Sequence, residues 1–124
     1  MIYKAGMLCK HFKGKELLEK NIYRIEKLGV NGTDIDKTLV TYTGDNELET
    51  ATNLVVYSNI FQDNKLFCRE YEDISSELTE EKKLMFHQNL KVQPLTLEEI
   101  DLVNSEEFIR EKSIVVSKKF EKRY

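Results

Sequence analysis

The residues best suited to chemistry in this chain are a histidine and two cations. His11 and Lys13 belong to the run His-Phe-Lys-Gly-Lys at positions 11–15, and Arg69 belongs to the run Lys-Leu-Phe-Cys-Arg-Glu-Tyr at 65–71. Lysines beside a glycine can hold an anion together with free backbone N–H groups. The guanidinium fork of Arg69 matches a carboxylate or a phosphate. These residue types indicate an anion-binding site, and the alternative is that Arg69 only pairs with a nearby carboxylate.

Aromatic residues concentrate in the middle of the chain and suggest a second part of the same site. Most of them must be core residues in so small a protein, but one or two can line an exposed groove. We choose Tyr57 for that role. The group consists of Tyr42, Tyr57, Phe61, Phe67 and Tyr71.

No residue pattern predicts a metal ion, a cofactor or a catalytic nucleophile. Zinc sites usually need about four nitrogen or sulfur ligands paired at short spacing. The two cysteines and two histidines are spread over the chain, at Cys9, His11, Cys68 and His87. Binding residues are therefore predicted, with no metal-binding and no catalytic residues.

Composition and charge narrow the class of protein. The chain has 124 residues, 40% of them apolar, which predicts one domain over 1–124. A net charge of −3 and a pI near 5.5 make nucleic acid an unlikely partner. Residues 1–27 nevertheless hold seven Lys and Arg against three Glu, and residues 112–124 hold five against one. Weak nucleic-acid binding through these basic ends stays open as an alternative.

Export and membrane signals are not recognisable in the sequence. Lys4 and Lys10 bracket only five residues, far fewer than the apolar segment of a signal peptide. No apolar run approaches the roughly 20 residues that a membrane helix needs. We therefore expect a cytoplasmic protein with reduced thiols and no membrane partner.

The first 74 residues predict mainly β-structure. The runs at 54–61 and 65–71 are rich in β-branched and aromatic residues, and Gln-Asp-Asn between them favours a hairpin. A further strand is expected at 38–43 and a helical turn at 15–20. The segment 21–30 fits both helical and strand periodicity.

The remaining residues predict mostly helices. Thr79 can cap one helix, and Thr96 with Glu99 forms the pattern of a capping box. Segment 91–94 should be extended before its proline. Ser105 can cap a last helix, whose buried face we expect to carry Ile109, Lys112, Val116 and Phe120.

Four short motifs in order give the chain a resemblance to a known family. They are Lys-His-Phe-Lys-Gly at 10–14, Glu-Thr at 49–50, Leu-Val-Val-Tyr at 54–57 and Leu-Phe-Cys-Arg at 66–69. Over about residues 8–74 the chain resembles the bacterial family catalogued as domain of unknown function 1653. The family usually has histidine where this chain has Glu47, tryptophan where it has Phe67, and proline where it has Glu70.

The resemblance implies a fold rather than an activity. It implies an α+β protein in which a small SH3-like antiparallel β-barrel, at 8–74, is followed by a mostly helical extension at 75–124. We expect those helices to cover an open edge of the barrel. The family brings no established activity with it, and such a fold hosts many functions.

Taken together, the sequence favours a small non-catalytic binding or accessory module. Its candidate site is a groove lined by Tyr57, Arg69 and the loop from His11 to Lys13. The partner would be another protein or a small anionic ligand, and homo-oligomers are compatible with the sequence. The alternative is a small enzyme acting on an anionic metabolite, with His11 as acid or base and the two cations as anion holders.

Overall fold

The computed structural model describes residues 2–30 and 52–121, which contain five strands and four α-helices. The strands are β1 (Leu8–His11), β2 (Ile22–Val30), β3 (Thr52–Asn59), β4 (Lys65–Glu70) and β5 (Val92–Pro94). The helices are α1 (Tyr71–Ile74), α2 (Glu80–Phe86), α3 (Leu97–Val103) and α4 (Glu106–Glu121). A 3₁₀ turn at Leu17–Glu19 joins β1 to β2.

All five strands belong to one antiparallel sheet in the order β4-β3-β2-β1-β5. The first four strands follow one another as a meander, and β5 returns to pair with β1. In the described part of the chain β4 and β5 are the two edges, so the sheet is not closed there. The α+β class is therefore confirmed. The strand expected at 38–43 lies outside the described residues.

Alternation along the strands gives the sheet two faces with separate cores. Tyr23 and Tyr57 lie on one face, which we call the tyrosine face, and Ile22 lies on the other, which we call the helix face. Buried residues of the tyrosine face pack with Tyr3, Ile74 and Val92. On the helix face Ile22 packs with Val103 of α3 and Phe108 of α4.

The C-terminal helices cover a face of the sheet and not the edge that we expected. A helix buries a stripe of apolar side chains, which needs a broad apolar partner rather than a row of backbone groups. Val103 and Phe108 supply that stripe. Ile109, expected on the buried face of α4, is 43% exposed, whereas Lys112 is buried as predicted and Val116 is half-buried. The side chain of Phe120, also expected there, lies outside the described part of the chain.

Local signals for turns and helix starts are confirmed. The backbone N–H of Lys82 donates to Thr79 at 3.3 Å, and Thr96 and Glu99 form the full capping box. Ser105 Oγ accepts from the N–H of Phe108 at 3.2 Å. The hairpin turn contains two left-handed residues, Asp63 and Asn64. The segment 21–30, ambiguous in sequence, is almost entirely strand β2.

Candidate functional site

Four rings on the tyrosine face make a connected series of contacts from β1 to β4, and the rings of Tyr23 and Phe67 also lie 6.0 Å apart. The ring of His11 lies 6.2 Å from that of Tyr23, which lies 4.6 Å from that of Tyr57. Tyr57 and Phe67 are direct cross-strand partners whose rings stack at 5.5 Å. We call His11, Tyr23, Tyr57 and Phe67 the aromatic row.

The β4 end of the aromatic row is framed by two exposed cations. Lys65 and Arg69 lie two residues before and after Phe67, so both share its face. The Lys65 ammonium lies 5.5 Å and the Arg69 guanidinium carbon 5.7 Å from the centroid of the Phe67 ring. Neither cation forms an ion pair with another residue at 2–30 or 52–121. Arg69 instead donates to the carbonyl of Cys68 at 2.9 Å.

The β1 end of the row is also electropositive. His11 is half-buried, and the backbone N–H of Lys13 donates to its Nδ1 at 3.4 Å. Burial lowers the pKa of His11 to about 4, with the charges of Lys13, Lys91 and Lys20 acting in the same direction. The imidazole is therefore neutral at neutral pH. Lys91 in turn pairs with Asp73 at 2.8 Å.

The middle of the row consists of buried tyrosines. Tyr57 is 5% exposed, and burial raises its pKa to about 12. Burial also raises the pKa of Tyr23, although Asn21 and Arg69 oppose the shift. Tyr57 is therefore buried beneath the protein surface, whereas the half-buried ring of Phe67 is partly exposed to solvent.

The structure places His11, Tyr57 and Arg69 on the tyrosine face and Lys13 in the loop that follows β1, so the four predicted site residues fall into two groups. His11 and Lys13 lie together at one end, and Tyr57 lies near Arg69 at the other. The charge of Lys13 lowers the pKa of His11 in the same direction as burial. The charge of Arg69 lowers the pKa of Tyr23 and Tyr57, against the effect of burial. Tyr23 joins the groups, and sequence reasoning did not select it.

A cavity of about 280 Å³ lies away from the aromatic row. It opens between the 3₁₀ turn, α3 and α4, on the side of the helix face. Three glutamates and four apolar side chains line it, namely Glu16, Glu107, Glu111, Leu17, Leu18, Leu102 and Phe108. None of the four predicted binding residues lines this cavity.

Neither a metal site nor a membrane span emerges from residues 2–30 and 52–121. No three His, Cys, Asp or Glu side chains converge there as metal ligands would. Among these residues, no helix combines the length and apolar character needed to cross a membrane.

Comparison with protein families, with curated proteins and with solved structures finds no match to this chain.

Proposed function

We propose that this chain is a non-catalytic binding module that holds an acidic partner against the aromatic row. The observation that carries the proposal is the β4 end of the row. There a half-buried Phe67 ring lies between Lys65 and Arg69, two exposed cations without an ion pair among the described residues. His11 and Lys13 extend the same electropositive face at the other end.

The Phe67 ring restricts the positions of the Lys65 and Arg69 side chains, which favours the binding of an anion between them. A cation above an aromatic face is attracted by the ring quadrupole, which favours a limited set of side-chain positions. Arg69 donates one N–H to the Cys68 carbonyl, and its other donors are available for a carboxylate or a phosphate. An acidic group beside Phe67 therefore meets donors that are already oriented.

We also propose that the sheet curls into the SH3-like barrel that the family resemblance implies, and that this barrel is only partly closed and stays open along the outer edge of β4. The return of β5 to the side of β1 supports this, because it is a Greek-key connection extended by one strand. The Tyr3 hydroxyl lies 3.0 Å from the carbonyl oxygen of Ile74 and 2.6 Å from that of Val92. One buried side chain thus reaches both the segment after β4 and strand β5.

One observation favours the enzymatic alternative. The lowered pKa of His11 keeps the imidazole in the neutral form that accepts a proton. A small enzyme would use His11 as the base and Lys13 with Arg69 as anion holders. We prefer the binding module because the His11 ring packs against Phe12 at 4.8 Å and against Tyr23. We place the module in the cytoplasm, where the free thiols of Cys9 and Cys68 stay reduced.

A glutamate homopeptide with a fluorescent label tests the proposal. We expect Arg69→Ala to weaken its binding about tenfold, because a charge-assisted hydrogen bond is lost. The matched control is Arg110→Ala, an exposed arginine on α4, which should leave binding unchanged. Thermal unfolding of both variants checks that the fold is intact.

Two results would overturn the proposed function. Equal loss in Arg69→Ala and Arg110→Ala would mean that only net charge attracts the peptide. Tighter binding of single-stranded nucleic acid than of the peptide, lost steeply with added salt, would favour the nucleic-acid alternative.

A further inference from the structure

We propose that the acidic partner binds as an extended segment that adds a strand to the outer edge of β4. This inference rests on the proposed function, since it uses the cations beside Phe67. It adds the conformation of the partner and the order of its side chains. Strand addition at a sheet edge is a general mode of peptide recognition, in which backbone hydrogen bonds give affinity and alternate side chains give specificity.

The outer edge of β4 is free among residues 2–30 and 52–121. Strand β4 pairs with β3 on one side, and no described strand pairs with it on the other. Alternate residues of an edge strand point their N–H and C=O groups away from the sheet. Such groups can hydrogen-bond to another chain.

The edge of β4 has few of the features that usually block added strands. Proline, bulges, short length and charged side chains, lysine above all, are common protections. The charges of Lys65 and Arg69 are such a protection, and they oppose a cationic strand but attract an acidic one. Here six consecutive residues pair with β3 without a bulge, from Lys65 opposite Asn59 to Glu70 opposite Leu54. The strand contains no proline, and Leu66 is 63% exposed. This strand is therefore regular enough to continue the sheet by one more strand.

The side chains of β4 specify the chemistry of the added strand. On the tyrosine face the order is Lys65, Phe67, Arg69, so opposing residues should be acidic, apolar and acidic. On the helix face the order is Leu66, Cys68, Glu70. Leu66 and Cys68 favour apolar neighbours, and Glu70 lies beyond the five residues at 65–69 that the added strand would pair with. The complementary segment is acidic at both ends of about five residues and apolar between them.

The same charges disfavour a second copy of this chain as the occupant. In the antiparallel arrangement that sets Phe67 against Phe67, Lys65 of one copy lies opposite Arg69 of the other. Like charges directly opposite in a sheet are destabilising. An acidic segment removes this repulsion, which is why we commit to an acidic peptide.

The test uses the peptide Glu-Leu-Val-Leu-Glu with blocked termini. Its sequence is the same in both chain directions, so parallel and antiparallel pairing place the same side chains opposite β4. Two N-methylated forms of the peptide are compared. One carries methyl groups on the backbone nitrogens of the odd-numbered residues, and the other carries them on those of the even-numbered residues. A strand uses only one alternate set of its N–H groups toward a given neighbour. We expect one form to lose at least about tenfold in affinity, while the other binds like the unmethylated peptide. Amide exchange in β4 should slow on binding.

A charge-swap variant provides the matched control for specificity. The double variant Lys65→Glu with Arg69→Glu should lose the glutamate peptide and bind Lys-Leu-Val-Leu-Lys instead. The same charge change at two exposed cations of α4, Arg110→Glu with Lys118→Glu, should leave the preference for the glutamate peptide in place, which separates the facing positions from the overall charge.

Each contrary outcome has a distinct meaning. Equal effects of the two methylation patterns would overturn strand addition, while continued binding of the glutamate homopeptide would leave the proposed function standing. Failure of every acidic peptide to bind would overturn both. Concentration-dependent dimers with protected β4 amides in the absence of peptide would assign the edge to a second copy and overturn the inference.

Discussion

His11 is a residue whose surroundings favour the uncharged side chain. Its folded pKa of about 4 lies below the ordinary value of 6.5, chiefly because of burial. Between these two pH values the unfolded chain binds a proton that the folded chain does not. The free energy of unfolding is therefore expected to fall as the pH drops from about 6.5 to about 4.

Urea denaturation at several pH values measures this slope, and NMR titration of the imidazole gives the midpoint directly. His11→Asn should flatten the slope, because asparagine does not titrate and its oxygen can still accept from the Lys13 N–H. The matched control is His87→Asn, an exposed histidine whose φ of 54° suits asparagine. Equal flattening in the two variants would contradict the prediction.

Residue type alone predicted part of the candidate site. The chemistry of His11, Lys13 and Arg69 is enough to predict these three residues as binding candidates. The aromatic row could not be predicted, because it depends on the pairing register across four strands. Tyr23 lies in a segment with two possible periodicities, and only pairing with β1 and β3 fixes it as a strand.

At the scale of elements, Phe108 places α4 in the helix-face core. Phe108 is 3% exposed and lies 6.0 Å from the ring of Phe61, whereas its neighbour Ile109 is largely outside the core. We expect Phe108→Ala to lower the free energy of unfolding by about 3 kcal/mol. Ile109→Ala, the matched control, should change it by less than about 1 kcal/mol. Urea unfolding of both variants measures the difference, and equal losses would contradict this account.

Helix starts are easier to predict from sequence than helix faces. The caps at Thr79, Thr96 and Ser105 depend on hydrogen bonds within a few residues, so their patterns are local. The buried face of α4 depends on which apolar surface the sheet presents to it. Phe108 packs in a core that also contains Ile22 of β2 and Val103 of α3, and the periodicity of α4 alone carries no information about either residue.

At the scale of the whole molecule, both cores mix the two predicted parts of the chain. Val92 joins the tyrosine-face core, and Phe108 joins the helix-face core with Ile22. The buried ammonium of Lys112 on α4 donates to the backbone carbonyls of Leu18 and Lys20. From these contacts within residues 2–30 and 52–121 we predict that the strands and the helical extension unfold as one cooperative unit.

Tyr3 offers a test of that cooperativity, because its hydroxyl contacts the carbonyls of Ile74 and Val92 in the interior. Tyr3→Phe leaves buried acceptors without this donor, which should cost about 1–2 kcal/mol of unfolding free energy. Tyr71→Phe is the matched control, since its hydroxyl accepts only a 3.4 Å bond from the exposed N–H of Ile2.

The decisive readout is whether helix and tyrosine signals move together in Tyr3→Phe. If the two parts unfold as one, the far-ultraviolet and near-ultraviolet circular dichroism midpoints shift by the same amount. The far-ultraviolet signal reports mainly the helices, and the near-ultraviolet signal reports tyrosines concentrated on the sheet. A shift of the tyrosine signal alone would mean that the helical extension folds separately, and that its packing on the helix face contributes little to the stability of the sheet.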